Sequence, residues 1–241
     1  MPNLRGHYQS GRHRGDVDYI GQLEDDIADL IDQLRRQNFH GPVVLGGHSS
    51  GGGFGIRFAG GRHAHLVSRF LLLSPVIPRS DTIRQRSAGG WAHLHMRRII
   101  GLALLNAFGI RGFNALPVIE FNKPVRFWDG TETLTYSYRL NTSYHPRGRF
   151  VADVRKLTER SAIFIGELDE AVDAQCLARM IKRESPATAL EVLAGMDHFG
   201  VFTDTAVHEM IIEWIAQRAS TPLPRNAPIV AGEIGANGGF R

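Results

Sequence analysis

The sequence predicts an α/β fold in which a mostly parallel sheet carries helices on both faces. Two observations predict it. Short apolar-rich runs recur at residues 43–45, 69–73, 162–165 and 190–193 as strand candidates, the first of them suited to a strand buried on both faces. Segments of helical periodicity precede the first of these runs and follow most of the others, the arrangement that builds parallel sheets.

In chain order, residues 16–37 carry the clearest helical pattern. Tyr19, Ile20, Leu23, Ile27, Leu30, Ile31 and Leu34 recur at three- and four-residue spacing with acids between them. Asp16 or Asp18 is expected to cap its start, where acids also suit the helix dipole. Gly41-Pro42 ends it, Val43-Val44-Leu45 reads as a strand, and residues 54–59 read as the next helix. Helices are expected over about 171–183 and 204–218, after the last two strands. Residues 78–155 break the rhythm: a connection of roughly 75 residues between strands reads as an insertion with helices of its own. The tail from Ser220, rich in Pro, Gly, Ala and Asn, is expected to be disordered.

Composition narrows the class. A chain of 241 residues, 43% hydrophobic and 22% charged, suits one large globular domain or one domain with an insertion. The single cysteine, Cys176, excludes an intrachain disulfide. No apolar run reaches the ~18 residues of a membrane span. The opening Met-Pro-Asn-Leu-Arg lacks the layout of a signal peptide, which gives the expectation of a cytoplasmic protein. The net charge of +4 raises nucleic acid or anionic lipid as partners. The arginines, however, are scattered, with pairs only such as Arg35-Arg36 and Arg97-Arg98, so a solvated basic surface and no nucleic-acid partner are expected. The histidines show no ligand spacing, so no metal is expected.

The chemistry begins at Gly47-His48-Ser49-Ser50-Gly51, a G-x-S-x-G pattern between a strand and a helix. In such an elbow the serine sits on a strained turn, and glycines two before and two after it are expected to avoid clashes with neighbouring backbone. Ser49 is then the nucleophile, and the Ser50 N–H at the helix start can donate to an oxyanion. A phosphate loop fits less well, because no Lys-Ser/Thr follows the glycines.

A serine nucleophile needs a base, and the base an orienting acid. Gly166-Glu167-Leu168-Asp169-Glu170 follows one strand and Ala194 to Gly200 the next, which puts Asp169 and His198 on the two loops where acid and base belong. Glu170 and Asp173 are rival acids. Asp197 is read as shaping the turn, and His48 as a structural neighbour of the nucleophile.

These residues resemble the α/β-hydrolase superfamily, in particular its lysophospholipase, monoacylglycerol-lipase and serine-aminopeptidase-like branch. The resemblance rests on Gly-His-Ser-Ser-Gly at 47–51, Gly-Glu-Leu-Asp at 166–169 and Asp-His-Phe-Gly at 197–200. The opening Pro2 to Ser10 is similar to that family's P-D-L-R-G-H-G-x-S, with Asn3 and Tyr8 departing from it. The resemblance spans about residues 2–219. It implies an α/β-hydrolase core at 1–77 and 156–219, with 78–155 as a cap whose aromatics from Trp128 to Tyr144 wall a pocket. It also implies an N-terminal truncation: residues 2–10 correspond to the end of the family's fourth strand, so its first three strands and the H-G-type loop bearing a second oxyanion donor fall outside the chain. A partner strand from another copy, in a homo-oligomer, is one way to complete the sheet.

The function implied is that of a serine hydrolase acting on a carboxylic ester, lipid or small, with Ser49, Asp169 and His198 as triad and no cofactor. Amides and thioesters stay within the same chemistry. Weak or no ester turnover is expected of this chain alone, since loss of one oxyanion donor costs about 10² to 10³ in rate. The rival is a non-catalytic protein of the same fold that binds a ligand or partner.

Overall fold

The computed structural model describes residues 2–78, 81–83, 92–123 and 125–217. The expected tail from Ser220 lies outside the described residues. Four strands form a wholly parallel sheet in the order β1 (Val44–His48), β2 (Arg69–Leu73), β6 (Ser161–Gly166), β7 (Ala189–Leu193). β1 stands at one edge. The register pairs His48 with Leu73, Leu73 with Phe164 and Gly166 with Leu193, so the strand ends that carry the loops of interest lie side by side.

β6 shows why apolar runs without alternation belong here. All six of its residues are buried, and successive side chains enter different cores. Ile163 and Ile165 join a core with Leu23 and Ile27 of α1 (Gln22–Arg36), Phe58 of α2 (Ser50–Ala59) and Leu177 of α6 (Ala174–Glu184). Ala162 and Phe164 join another with Val201 of α7 (Gly200–Thr203) and Val207 and Trp214 of α8 (Thr205–Gln217). The sheet is thus covered on both faces.

Between β2 and β6 lies a three-stranded antiparallel sheet of β3 (Ala92–Leu94), β4 (Pro117–Phe121) and β5 (Thr135–Ser137). With it come helices α3 (Met96–Ala107), α4 (Tyr138–Tyr144) and α5 (Phe150–Val154). Helices were expected here and the sheet was not, because strands of three residues are too short to show a period. Of the aromatics from Trp128 to Tyr144, Tyr136 and Tyr144 pack against His7 of the N-terminal loop. Tyr144 belongs to the main core, Tyr136 stacks on it, and the Tyr136 hydroxyl lies 2.9 Å from His7 Nε2. Trp128 is exposed and donates from Nε1 to the Lys123 carbonyl.

The first helix begins at Gln22 rather than near residue 16, and neither Asp16 nor Asp18 caps it. Asp16 is drawn away by Arg139, whose Nε donates to it at 2.7 Å, and Asp18 pairs with the Gln22 side chain. Gly21, at φ 102°, turns the chain into the helix without a side-chain cap. Among the described residues no helix is long and apolar enough to cross a membrane.

Candidate active site

The site is built from four chain segments at the carboxyl ends of β1, β2, β6 and β7. β1 runs through His48 and α2 begins at Ser50, so Ser49 is the single residue between strand and helix. Its backbone is left-handed, at φ 57° and ψ −117°. For a non-glycine residue that costs about 1–3 kcal/mol and persists only where the surroundings hold it. They do so through backbone: Ser49 N–H donates to the Leu73 carbonyl at 2.9 Å, and the Ser49 carbonyl accepts from the Val76 N–H at 3.1 Å and the Gly53 N–H at 3.0 Å. As the first residue of α2, Ser50 presents its N–H without an intrahelical acceptor, beside the serine.

Of the two motif glycines, the structure requires only one. A Cβ on Gly47 would collide with the Gly51 carbonyl carbon and oxygen, whereas one on Gly51 has nothing within 4 Å, which corrects the expectation of a clash there. Gly53, which the motif omits, is also tight, since a Cβ there would lie 2.5 Å from the Val76 carbonyl oxygen. The elbow helix packs directly on the strand exit of β2, and no side chain fits between them. Gly47→Ala is therefore expected to destabilise the fold by about 3 kcal/mol or more, with Gly51→Ala neutral or stabilising by ~0.5–1 kcal/mol. Urea unfolding midpoints of the two variants check the contrast, and equal losses would contradict it.

Asp169 and His198 meet in the interior. His198 is 1% exposed and Asp169 0%, and His198 Nδ1 lies 2.9 Å from Oδ2 and 3.0 Å from Oδ1 of the carboxylate. Oδ1 also accepts the backbone N–H groups of Ala171 and Val172 at 2.9 and 2.8 Å. Burial alone raises a carboxyl pKa. Here the bonds from His198 and the Val172 N–H outweigh it, so Asp169 is held below the usual aspartate range. An ionised carboxylate on Nδ1 fixes the proton there and leaves Nε2 the basic nitrogen.

His48 links this pair to Ser49. It immediately precedes the serine, its ring lies 4.6 Å from that of His198, and its Nε2 donates to the His198 carbonyl at 2.8 Å. Phe202 stacks on its other side. Burial, with the His198 ring beside it, pushes the His48 pKa below the ordinary histidine value, so it stays neutral and serves as a strut.

The rival acids have other partners. Asp173 caps α6 by accepting from the Cys176 N–H, and Glu170 accepts from the His198 backbone N–H at 3.2 Å. Asp197 accepts from the N–H groups of Phe199 and Gly200, shaping the turn. Glu167 accepts from the Gly195 N–H at 3.1 Å. Glu167 and Glu170 thus clamp the loop after β6 to the loop after β7. Sequence reading missed this, because the acceptors are backbone groups of a segment 28 residues away.

A sequence model of the family described as "Alpha/beta hydrolase family" matches residues 1–211. No curated protein matches the chain significantly. Among solved structures, a soluble variant of monoglyceride lipase from Saccharomyces cerevisiae aligns with TM-score 0.60 and 18% identity, covering 89% of this chain and 74% of that one. E-2-(acetamidomethylene)succinate hydrolase aligns with TM-score 0.55 and 23% identity over 88% of this chain and 79% of that one. Monoacylglycerol lipase of Paleococcus ferrophilus gives 0.54 and 17% over 88% and 80%. At such identities the likeness is one of fold.

Proposed function

The chain belongs to the alpha/beta hydrolase family, and from that premise we propose that it is a serine hydrolase cleaving a carboxylic ester through an acyl-enzyme. The observation that carries this reading is the fully buried Asp169–His198 pair, joined through His48 to a serine on a strained strand-to-helix turn. In this reading Ser49 Oγ attacks the ester carbonyl while His198 Nε2 takes its proton. The Ser50 N–H donates to the oxyanion, and the imidazolium then protonates the departing alcohol. Water repeats the sequence in reverse to release the acid. Asp169 holds the tautomer and stabilises the imidazolium without taking the proton.

One oxyanion donor is assigned, the Ser50 N–H, so turnover of p-nitrophenyl esters by this chain is expected to be weak. Covalent labelling by a fluorophosphonate is the more sensitive readout, because it needs only one attack. Labelling is expected at Ser49, with a loss of at least ~10³-fold in rate for Ser49→Ala. A folded chain that resists the probe would instead favour a ligand-binding protein of the same fold. Strong ester turnover abolished by Ser49→Ala would overturn the expectation of weak catalysis.

A further inference from the structure

α3 is apolar on two faces, although among the described residues only one of them packs in a core cluster. Inward, Leu102 packs with Val118 and Tyr138, and Ile99, Ala103 and Leu105 lie against that cluster. Outward, Met96, Ile100, Leu104 and Phe108 recur at four-residue spacing and are 53%, 55%, 59% and 83% exposed. Residues four apart on a helix form one stripe, here about 18 Å long. Eight of the twenty exposed large apolar residues among the described residues fall between Leu94 and Leu116. A surface helix normally turns polar side chains to water, and contiguous apolar patches of this kind mark docking surfaces.

The charge around the stripe indicates what it meets. No Asp or Glu lies between Asp81 and Glu120, while that stretch holds five arginines. Arg97, adjoining the stripe, and Arg111, beyond its end, are both exposed. Glu120 itself is taken by His95, 2.9 Å away. A second copy docking by the same face would bring these arginines together with no acid on that stretch to pair them. An anionic lipid surface supplies both needs: acyl chains for the stripe and headgroup charge for the arginines.

We propose that the outer face of α3, from Met96 to Phe108, docks on an anionic lipid bilayer as a peripheral, non-spanning contact. The contact uses none of Ser49, Asp169 or His198 and does not depend on the hydrolase reading. Together with that reading, it places the chain on the surface where acyl lipids reside.

Co-sedimentation of the full chain carrying Ser49→Ala, which removes hydrolysis from the readout, tests it. The vesicles are phosphatidylcholine alone and phosphatidylcholine mixed with phosphatidylglycerol. Binding to the mixed vesicles is expected, weaker on phosphatidylcholine alone and falling as salt rises. The pair Ile100→Glu and Leu104→Glu, at exposed positions, is expected to lower it at least ~tenfold. The pair Arg97→Gln and Arg111→Gln is expected to lower it roughly tenfold to thirtyfold on the mixed vesicles and to flatten the salt dependence. Three results would overturn the proposal: no binding of the parent chain, binding unchanged by both pairs, or a parent dimer that the Ile100/Leu104 pair dissociates without any vesicle binding.

Discussion

Asp169→Asn is expected to slow fluorophosphonate labelling of Ser49 by about 10³ to 10⁴-fold while leaving the fold intact. The structure explains why these effects separate. Asn keeps an oxygen at Oδ1 to accept from the Ala171 and Val172 N–H groups, so the loop retains its backbone bonds. The new amide NH₂ faces His198 Nδ1, where the carboxylate oxygen lies at 2.9 Å in the parent. Nδ1 must then accept rather than donate, which moves the ring proton to Nε2, and a protonated Nε2 takes no proton from Ser49. Labelling within ~tenfold of the parent rate would remove Asp169 from the mechanism and reopen the case for another acid.

Glu24→Ala is expected to cost about 3–5 kcal/mol of stability, a large effect for a polar residue away from the site. Glu24 sits between two arginines: Arg57 Nε donates to Oε2 at 2.5 Å and Arg147 to Oε1 at 2.6 Å. The Glu24 and Arg57 side chains are only 8% and 7% exposed. Arg147 reaches on to Asp153 at 2.9 Å and to the Arg57 carbonyl, so one network joins α1, α2 and the segment leading into α5. Removing the carboxylate leaves the buried Arg57 with backbone carbonyls of Thr142 and His145 as its anionic-end substitutes. Replacing both partners, as Glu24→Leu with Arg57→Met, is expected to recover most of the loss, because no buried charge then remains unpaired. Urea unfolding measures both variants, and a loss under ~1 kcal/mol for Glu24→Ala would contradict this account.

Strand identity and loop placement were legible in the sequence because short apolar-rich runs mark the four parallel strands, although Gly46 of β1 and Glu191 of β7 are exposed. Residues 69–73 correspond residue for residue to β2, and the loops after β6 and β7 carry the hydrogen-bonded Asp169 and His198. Helix starts were not legible at α1, where the Asp16 side chain is captured by Arg139, 123 residues away. No local pattern encodes such a partner. The short strands β3 and β5 were missed for want of length. The motif itself misled at Gly51, since a five-residue pattern cannot show that the pressure on the elbow falls on Gly47 and Gly53 instead.

The left-handed turn at Ser49 depends on tertiary contacts and not on its own sequence alone. Two of the hydrogen bonds that hold it, to the Leu73 carbonyl and from the Val76 N–H, come from the far end of β2 and the chain just beyond it. Both require the carboxyl ends of β1 and β2 to be together, where His48 lies opposite Leu73. The strain in the serine is thus offset in large part at that end of the ladder. Any partly folded state in which this end of the sheet is open holds an ordinary, relaxed serine. The turn is therefore expected to form together with the docked sheet and to be lost with it.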